Sequence, residues 1–210
     1  MKALILVYQK VDKFNKNNLI FKKVKKILDI QSDIFFIYFK DDFWFYNKFF
    51  DFLNNALKNK YNYFIKIKKD VYDLFLIKTI LKILKKNIDF INCSFYLREK
   101  DNISIPLEIK LKNFALEGII NKTFENKLSD FHLFCYGFKI DIFSDVILNR
   151  KDNFVELELI LKLLNKKVNI LEIPYHQMKK LNFYELNFNL EEYIKIILEI
   201  FKELKNKNEQ

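Results

Sequence analysis

Residues 3–8 read Ala-Leu-Ile-Leu-Val-Tyr, an unbroken apolar run that predicts a strand buried on both faces. A second run, Asp33-Ile-Phe-Phe-Ile-Tyr-Phe39, predicts another strand of the same kind. Strands buried on both faces are typical of parallel sheets, because the crossover helices cover both sides of the sheet. The two runs therefore predict an α/β fold with a mostly parallel central sheet flanked by helices.

The rest of the chain continues this alternation of apolar runs and helical spacing. Further strands are predicted at 61–67, 88–93, within 130–139 and at 168–173. Helices are predicted at 14–28, 49–58, 74–85, 107–120, 140–148, 154–165 and 190–205. No repeat or linker divides the chain, so we expect a single domain over 1–210, with 190–210 as a C-terminal amphipathic helix.

The composition excludes a disordered chain but leaves the positive charge open to two interpretations. The sequence holds 24 Phe and 11 Tyr, and its formal net charge is +10. Of its 37 basic residues only Arg98 and Arg150 are arginine, and Lys is enriched together with Asn, Ile, Phe and Tyr. AT-rich codon usage explains this pattern, and selection for an anionic partner is the alternative. Nucleic acid is not expected as the partner, because no recognition motif is present and arginine, the usual reader of bases, is scarce.

The cysteines and the apolar segments indicate a cytoplasmic protein. Cys93 and Cys135 lie far apart in the sequence without a C-x-x-C pattern, which predicts neither a disulfide framework nor a zinc site. The N-terminal apolar run is too short for the core of a signal peptide, and no run is long enough to span a bilayer. The helix at 190–210, with lysines beside its apolar stripe, either packs against the sheet or lies on the inner face of an anionic membrane.

Acidic residues follow two of the predicted strands, where ligands of parallel sheets bind. Asp41 and Asp42 follow the second strand, and Asp70 follows the third. Carboxylates at such positions can hold a ribose, a base edge or a divalent cation that bridges two phosphates. Their alternative role is to cap helices and form turns.

The block from Phe154 to Pro174 is the most specific stretch of the chain. It reads Phe154-Val-Glu-Leu-Glu-Leu-Ile-Leu-Lys-Leu-Leu-Asn-Lys-Lys-Val-Asn-Ile-Leu-Glu-Ile-Pro174. It resembles, without a gap, the helix and strand F-x-x-E-L-L-x-(K/R)-x-x-x-x-G-x-x-(I/V)-x-E-(V/I)-P of family 2 glycosyltransferases. Within that family it is closest to the dolichyl- and polyprenyl-phosphate sugar synthases.

Shorter matches extend this resemblance over most of residues 3–180. Gly137-Phe-Lys139, preceded by Asp130, is similar to G-F-(R/K) after an aspartate, and His176-Gln-Met-Lys179 is similar to H-x-x-R. Leu6-Val-Tyr-Gln-Lys10 resembles P-V-Y-N-E, and Phe39-Lys-Asp-Asp42 resembles the V-D-D that precedes G-S-T-D.

The resemblance implies a GT-A fold and transfer of a hexose from a UDP- or GDP-linked sugar to an acceptor. The implied acceptor is a lipid phosphate such as a polyprenyl phosphate, or a glycan precursor of the cell envelope. Carried over by position, the catalytic residues would be Asp70, Glu158 and Lys139. Asp70 would also bind a divalent metal, Mg²⁺ or Mn²⁺. The residues expected to bind the nucleotide sugar are Tyr8, Asp41, Asp42, Lys68, Lys69, His176 and Lys179.

The sequence departs from the family at the metal motif. The D-x-D position reads Lys68-Lys-Asp70, so only the second carboxylate remains, and Lys10 and Lys167 replace the family's glutamate and glycine. Two ammonium groups could neutralise a diphosphate without a metal ion. The alternative is a catalytically inactive relative with a GT-A shape that serves as a binding or scaffold protein.

Overall fold

The computed structural model describes residues 1–10, 20–39, 42–68, 72–94, 96–97, 105–125, 127–131, 133, 135–152, 154–174 and 189–208. The strands are β1 (Lys2–Lys10), β2 (Ile20–Ile27), β3 (Ile30–Phe39), β4 (Tyr63–Lys68), β5 (Phe90–Ser94), β6 (Cys135–Lys139) and β7 (Ile170–Pro174). The helices are α1 (Asp42–Lys58), α2 (Leu74–Leu84), α3 (Leu107–Phe124), α4 (Val155–Asn165) and α5 (Leu190–Asn208), and a 3₁₀ turn covers Ile140–Phe143.

The seven strands form one sheet in the order β2-β3-β1-β4-β6-β5-β7. β1 pairs in parallel with both β3 and β4, and β5 pairs in parallel with β7. β2 and β6 run antiparallel to their neighbours. Because β6 is reversed between β4 and β5, the five strands β3, β1, β4, β5 and β7 all run in one direction. The predicted α/β class with a central sheet and flanking helices is confirmed. The sheet is only partly parallel, not mostly parallel as predicted, because three of its six strand pairings are antiparallel.

Helices cover both faces of this sheet, as the doubly apolar strands require. On one face, which includes Leu6 and Phe64, α1, α4 and α5 pack together with the second half of α3. On the other face, which includes Ile5 and Ile65, α2 packs together with the beginning of α3. Alternate residues of one strand thus enter two separate cores.

The prediction of a helix over 14–28 is wrong for the part that the structure describes. Residues 20–27 form β2, which returns along β3 with Ile27 opposite Ile30. The chain reverses at Leu28 and Asp29, which both have positive φ angles, as a two-residue hairpin requires. Glycine usually marks such a turn. Because neither turn residue is glycine here, the sequence lacks the signal that distinguishes a hairpin from a helix.

The helix predicted at 140–148 is reduced to the 3₁₀ turn at Ile140–Phe143. Main-chain groups beyond it bond to side chains of α4 instead of continuing a helix. The amides of Asn149 and Arg150 donate to Glu158, and the carbonyl oxygen of Ile147 accepts from Lys162. Long-range side-chain partners therefore decide the conformation of this segment.

None of the helices in the described ranges combines the length and the apolar character needed to cross a bilayer.

Candidate functional site

The parallel strands bring their carboxyl ends to one edge of the sheet, here called the carboxyl edge. β1 ends there at Lys10, β4 at Lys68 and β5 at Ser94, and the reversed strand β6 starts there at Cys135. Ligands of open parallel sheets bind beyond this edge, because the loops that follow the strands converge on it. The predicted site residues can therefore be sorted by whether they reach the carboxyl edge.

Two of the predicted nucleotide-sugar-binding residues meet at this edge. Tyr8 of β1 and Lys68 of β4 are register partners on adjacent strands. Both side chains are buried, and Lys68 is only 4% exposed. Asp42 is the first residue of α1, directly after the carboxyl end of β3, but its side chain lies outside the description. The described backbone thus places Tyr8 and Lys68 at the carboxyl ends of two adjacent parallel strands, and Asp42 at the start of the helix that follows β3, the other neighbour of β1.

Five other predicted residues lie outside the described residues, so their placement stays a prediction. These residues are Asp41, Lys69, Asp70, His176 and Lys179.

Lys139 is placed at the opposite edge of the sheet. It is the last residue of the reversed strand β6 and lies opposite Tyr63, the first residue of β4. Its ammonium group forms an ion pair with Asp89 at 2.9 Å. The structure therefore does not bring Lys139 together with Tyr8 and Lys68, and the catalytic role implied by its motif finds no geometric support.

Glu158 anchors a loop. Its carboxylate accepts main-chain hydrogen bonds from Asn149 at 3.0 Å and Arg150 at 2.9 Å, and it accepts from the ammonium of Lys162 at 2.6 Å. The Glu158 residue is 1% exposed. These donors occupy the carboxylate, which thereby keeps the loop at 147–150 in place. The catalytic role that the resemblance implies for Glu158 therefore finds no geometric support.

A buried charged cluster, which the sequence did not predict, lies beside Lys68 on the same face of the sheet. We call Tyr8, Lys66, Tyr136 and Glu156 the buried lysine cluster. The Lys66 ammonium lies 2.5 Å from Glu156 Oε2 and 4.3 Å from the centre of the Tyr8 ring. The Tyr136 hydroxyl donates to Glu156 Oε1 at 2.6 Å. Because Lys66 and Lys68 are two residues apart on β4, both project from the same face of the sheet, which α1 and α4 cover.

The electrostatics of this cluster follow from its burial. Burial lowers the pKa of Lys66, and the nearby Lys68 lowers it further, whereas Glu156 acts in the opposite direction. Burial also holds the pKa of Tyr136 well above its usual range, with Glu156 adding to the rise. An ammonium group in such surroundings is stabilised only by close anionic and aromatic partners. The signal in the sequence was the pair of lysines in a strand otherwise apolar on both faces.

A second polar cluster connects the carboxyl ends of β5 and β7. The Glu172 carboxylate accepts from the amides of Ser129 at 2.7 Å and Asp130 at 3.2 Å, and from Asn92 Nδ2 at 3.0 Å. The Ser94 and Ser129 hydroxyl oxygens are 2.9 Å apart. Burial raises the pKa of Glu172, and the neighbouring Asp130 adds to the rise. The glutamate and aspartate of the two family-like motifs therefore lie together at the carboxyl edge.

The described residues do not provide a metal site of the kind that the family resemblance implies. Within the described ranges, no group of three or more histidine, cysteine, aspartate or glutamate residues is arranged to hold a metal ion. The first position of the expected D-x-D motif carries the Lys68 ammonium, which would repel a cation. The chemistry at this position therefore fits an anion better than a divalent metal.

Comparisons with known proteins do not identify a family for this chain. Neither a protein-family model nor a curated protein sequence matches this chain. The resemblance to family 2 glycosyltransferases thus stays a prediction.

Proposed function

We propose that this chain is a divergent glycosyltransferase that binds a nucleotide-diphosphate sugar at the carboxyl edge. The observation that supports the proposal is the position of Lys68. It is a buried cation on the last residue of the central strand β4, beside Tyr8 of β1. An ammonium group at the carboxyl end of a strand can donate charge-assisted hydrogen bonds to a ligand phosphate, in addition to the contacts that it makes within the protein.

In the proposed reaction Lys68 performs the task that relatives assign to a metal. An oxygen of the acceptor, a polyprenyl phosphate or a glycan hydroxyl, attacks the anomeric carbon of the sugar. The bond between that carbon and the diphosphate oxygen breaks, and the departing nucleoside diphosphate carries away the electron pair. The ammonium of Lys68 stabilises the charge that develops on the diphosphate. With a phosphate acceptor, the attacking oxygen is already ionised and no general base is required, whereas a glycan hydroxyl would pass its proton to solvent or to the departing diphosphate.

The buried lysine cluster adjoins Lys68. The Lys66 side chain, which pairs with Glu156, projects from the same face of β4 as Lys68, two residues before it. The Tyr8 ring lies 4.3 Å from the Lys66 ammonium, and Tyr8 is also the register partner of Lys68. These buried contacts help to fix the strand that carries Lys68.

A binding protein without transferase activity is the second candidate function. The observation that favours it is the use of two motif residues for structural contacts. Glu158 holds the loop at 147–150, and Lys139 pairs with Asp89 at the far edge. Such a protein would bind the nucleotide sugar at the same edge and not transfer the sugar.

Thermal unfolding with nucleotide ligands tests the proposal. UDP, GDP and their hexose conjugates are added with Mn²⁺ or with EDTA, and the melting temperature of each mixture is measured. We expect one nucleotide series to raise the melting temperature in both conditions. The Lys68→Gln variant should lose this rise, whereas Lys78→Gln, an exposed lysine of α2, should retain it. Absence of any nucleotide effect would refute the proposal, and binding that strictly requires Mn²⁺ would refute the role of Lys68.

Product analysis then separates the two candidates. The nucleotide sugar that gives protection is incubated with a short-chain polyprenyl phosphate, and the lipid fraction is examined by mass spectrometry for an added hexose. A glycosylated lipid supports the transferase. Protection without any transfer, to this lipid or to glycan acceptors, supports the binding protein.

A further inference from the structure

The two cysteines of this chain, far apart in the sequence, lie on neighbouring antiparallel strands. Cys93 belongs to β5, and Cys135 is the first residue of β6. The pairing of these two strands sets Asn92 opposite Tyr136. Continuing this register by one residue places Cys93 directly opposite Cys135.

Both cysteine side chains project from the same face of the sheet. Cys93 and Cys135 belong to the core that α2 covers, and each is 1% exposed. Hydrogen bonding to Cys135, more than burial, holds the pKa of Cys93 well above its usual range. A contact between the two thiols agrees with the position that the strand register gives them.

The strand geometry meets the requirements of a disulfide bond. Residues directly opposite each other in an antiparallel pair have Cα atoms about 4.5–5.5 Å apart. A disulfide bond needs Cα atoms about 4.4–6.8 Å apart and Cβ atoms that point towards each other. Both cysteines are free thiols in this structure. Because the chain holds only these two cysteines, neither has another intramolecular partner.

The cysteine pair stands at the carboxyl edge. β5 ends one residue after Cys93, at Ser94, whose hydroxyl oxygen lies 2.9 Å from that of Ser129. From there the chain passes through α3 and returns to the edge at Ser129, whose amide donates to Glu172. A bond between Cys93 and Cys135 would close this whole segment into a loop with both ends fixed on adjacent strands.

We propose that Cys93 and Cys135 form a redox modification site, which a low-molecular-weight disulfide converts to a cross-strand disulfide bond. One cysteine thiolate attacks a sulfur of the small disulfide, forms a mixed disulfide and releases one small thiolate. The other cysteine thiolate attacks the protein sulfur of the mixed disulfide, forms the cross-strand bond and releases the second small thiolate. The two protons of the cysteines pass to the small thiolates, so the cysteines are oxidised and the small disulfide is reduced to two thiols. This modification does not depend on the proposed function.

Thiol–disulfide equilibrium with glutathione tests the proposal. The full chain is incubated with reduced and oxidised glutathione, in native buffer and in guanidinium chloride, until its composition no longer changes, since buried thiols exchange slowly. After acid quenching, mass spectrometry measures the fraction that has lost two hydrogen atoms. We expect the native fold to raise the equilibrium constant for the intramolecular disulfide at least about tenfold over the unfolded chain, because the register holds the two thiols together.

The same factor must appear in the stability of the oxidised protein. A disulfide that the fold favours also stabilises the fold, because the cross-link restricts the unfolded chain. A tenfold factor corresponds to a melting temperature about 3–6 °C above that of the reduced protein.

Two variants serve as controls, and circular dichroism checks that each one folds. In Cys135→Ala the remaining thiol has no partner, so only a mixed disulfide with glutathione should form. Ile91→Cys/Cys93→Ala moves the thiol two residues along the same face of β5, out of register with Cys135, and should lose the native advantage.

The comparison of native with unfolded wild type decides the proposal whether or not these variants fold. An equilibrium constant in native buffer that equals or falls below the constant in guanidinium chloride would overturn it. So would the accumulation, in place of the intramolecular bond, of chains with both cysteines joined to glutathione or of disulfide-linked dimers.

Discussion

Replacing Lys66 by methionine should be among the most damaging single changes in this protein. Methionine has a similar length but no charge, so it leaves Glu156 buried without its cation. The Lys66 and Glu156 side chains are only 3% and 10% exposed, and the ion pair measures 2.5 Å. Removing one partner of a buried ion pair costs about 3–5 kcal/mol, chiefly because the other charge stays desolvated.

The size of the expected change makes it easy to measure. For a chain of this length each kcal/mol lowers the melting temperature by about 2–4 °C, so Lys66→Met should lose roughly 6–20 °C. Glu156→Leu should lose a similar amount, because it leaves the Lys66 ammonium and the Tyr136 hydroxyl without their acceptor.

A combined variant removes the Lys66–Glu156 ion pair together with the Tyr136 hydroxyl that bonds to it. In Lys66→Met/Glu156→Leu/Tyr136→Phe all three polar groups are gone, and apolar replacements of a buried pair are often neutral. We therefore expect the triple variant to be more stable than either single variant. The matched control is Lys48→Met, which breaks an ion pair whose side chains are 37% and 63% exposed. It should change the unfolding free energy by less than about 1 kcal/mol.

Urea unfolding followed by circular dichroism gives the unfolding free energy of each variant. A triple variant that is more stable than either single variant supports the reasoning. Two results would refute it: a loss below about 1 kcal/mol in Lys66→Met, or a triple variant whose loss equals the sum of the single losses.

Three further predictions follow from the packing and from the buried groups. Gly137→Ala should destabilise the fold by about 1–3 kcal/mol, because a Cβ there would lie 2.6 Å from Ile80 Cγ2. The control Gly118→Ala, in open space on α3, should stabilise it by about 0.5–1 kcal/mol, as chemical denaturation can measure. The thiols of Cys93 and Cys135 should react with a disulfide reagent only as fast as the fold opens, because both are buried. Hydrogen bonding to Cys135, together with burial, also holds the pKa of Cys93 well above its usual range. Rapid labelling of the native protein would contradict this prediction. Because burial raises the pKa of Glu172 from 4.5, its stabilising contribution is complete below that value and is lost as the pH rises through the raised pKa. The stability of the wild type relative to Glu172→Gln should therefore fall as the pH rises from below 4.5 through the raised pKa, and a rise would show that the carboxylate is favoured by folding.

The sequence predicted the elements whose signals are local. The run at 3–8 lies within β1, the run at 33–39 lies within β3, and the block at 154–174 holds α4 and β7. Strands buried on both faces and helices with one apolar stripe carry their period in their own residues. The sheet class followed from the same patterns, because doubly apolar strands need helices on both sides.

Elements whose conformation depends on distant partners were mispredicted. The spacing of Ile20, Val24 and Ile27 suits a helix, yet β3 offered this segment a complete ladder of main-chain hydrogen bonds. The segment after β6 bonds to Glu158 and Lys162 of α4 in place of its own turn. In both cases contacts that form only in the folded chain override the local preference.

The candidate site divides in the same way. The family resemblance predicted Tyr8 and Lys68 as binding residues, and the strand register places both at the carboxyl edge. The rest depends on residues that are distant in the chain: Lys66 lies 90 positions from Glu156, and Cys93 and Cys135 lie on adjacent strands. The reversal of β6 moved Lys139 to the far edge, a fact that no local pattern contains.

The amino-acid sequence by itself determined the α/β class, the order of most elements and the lysine at the end of the central strand. Only the tertiary structure decided which charges are neighbours, which motif residues hold loops, and which cysteines face each other. The physical reason is that periodicity and propensity act within one segment, whereas burial, ion pairing and strand direction are properties of pairs of segments that meet only after folding.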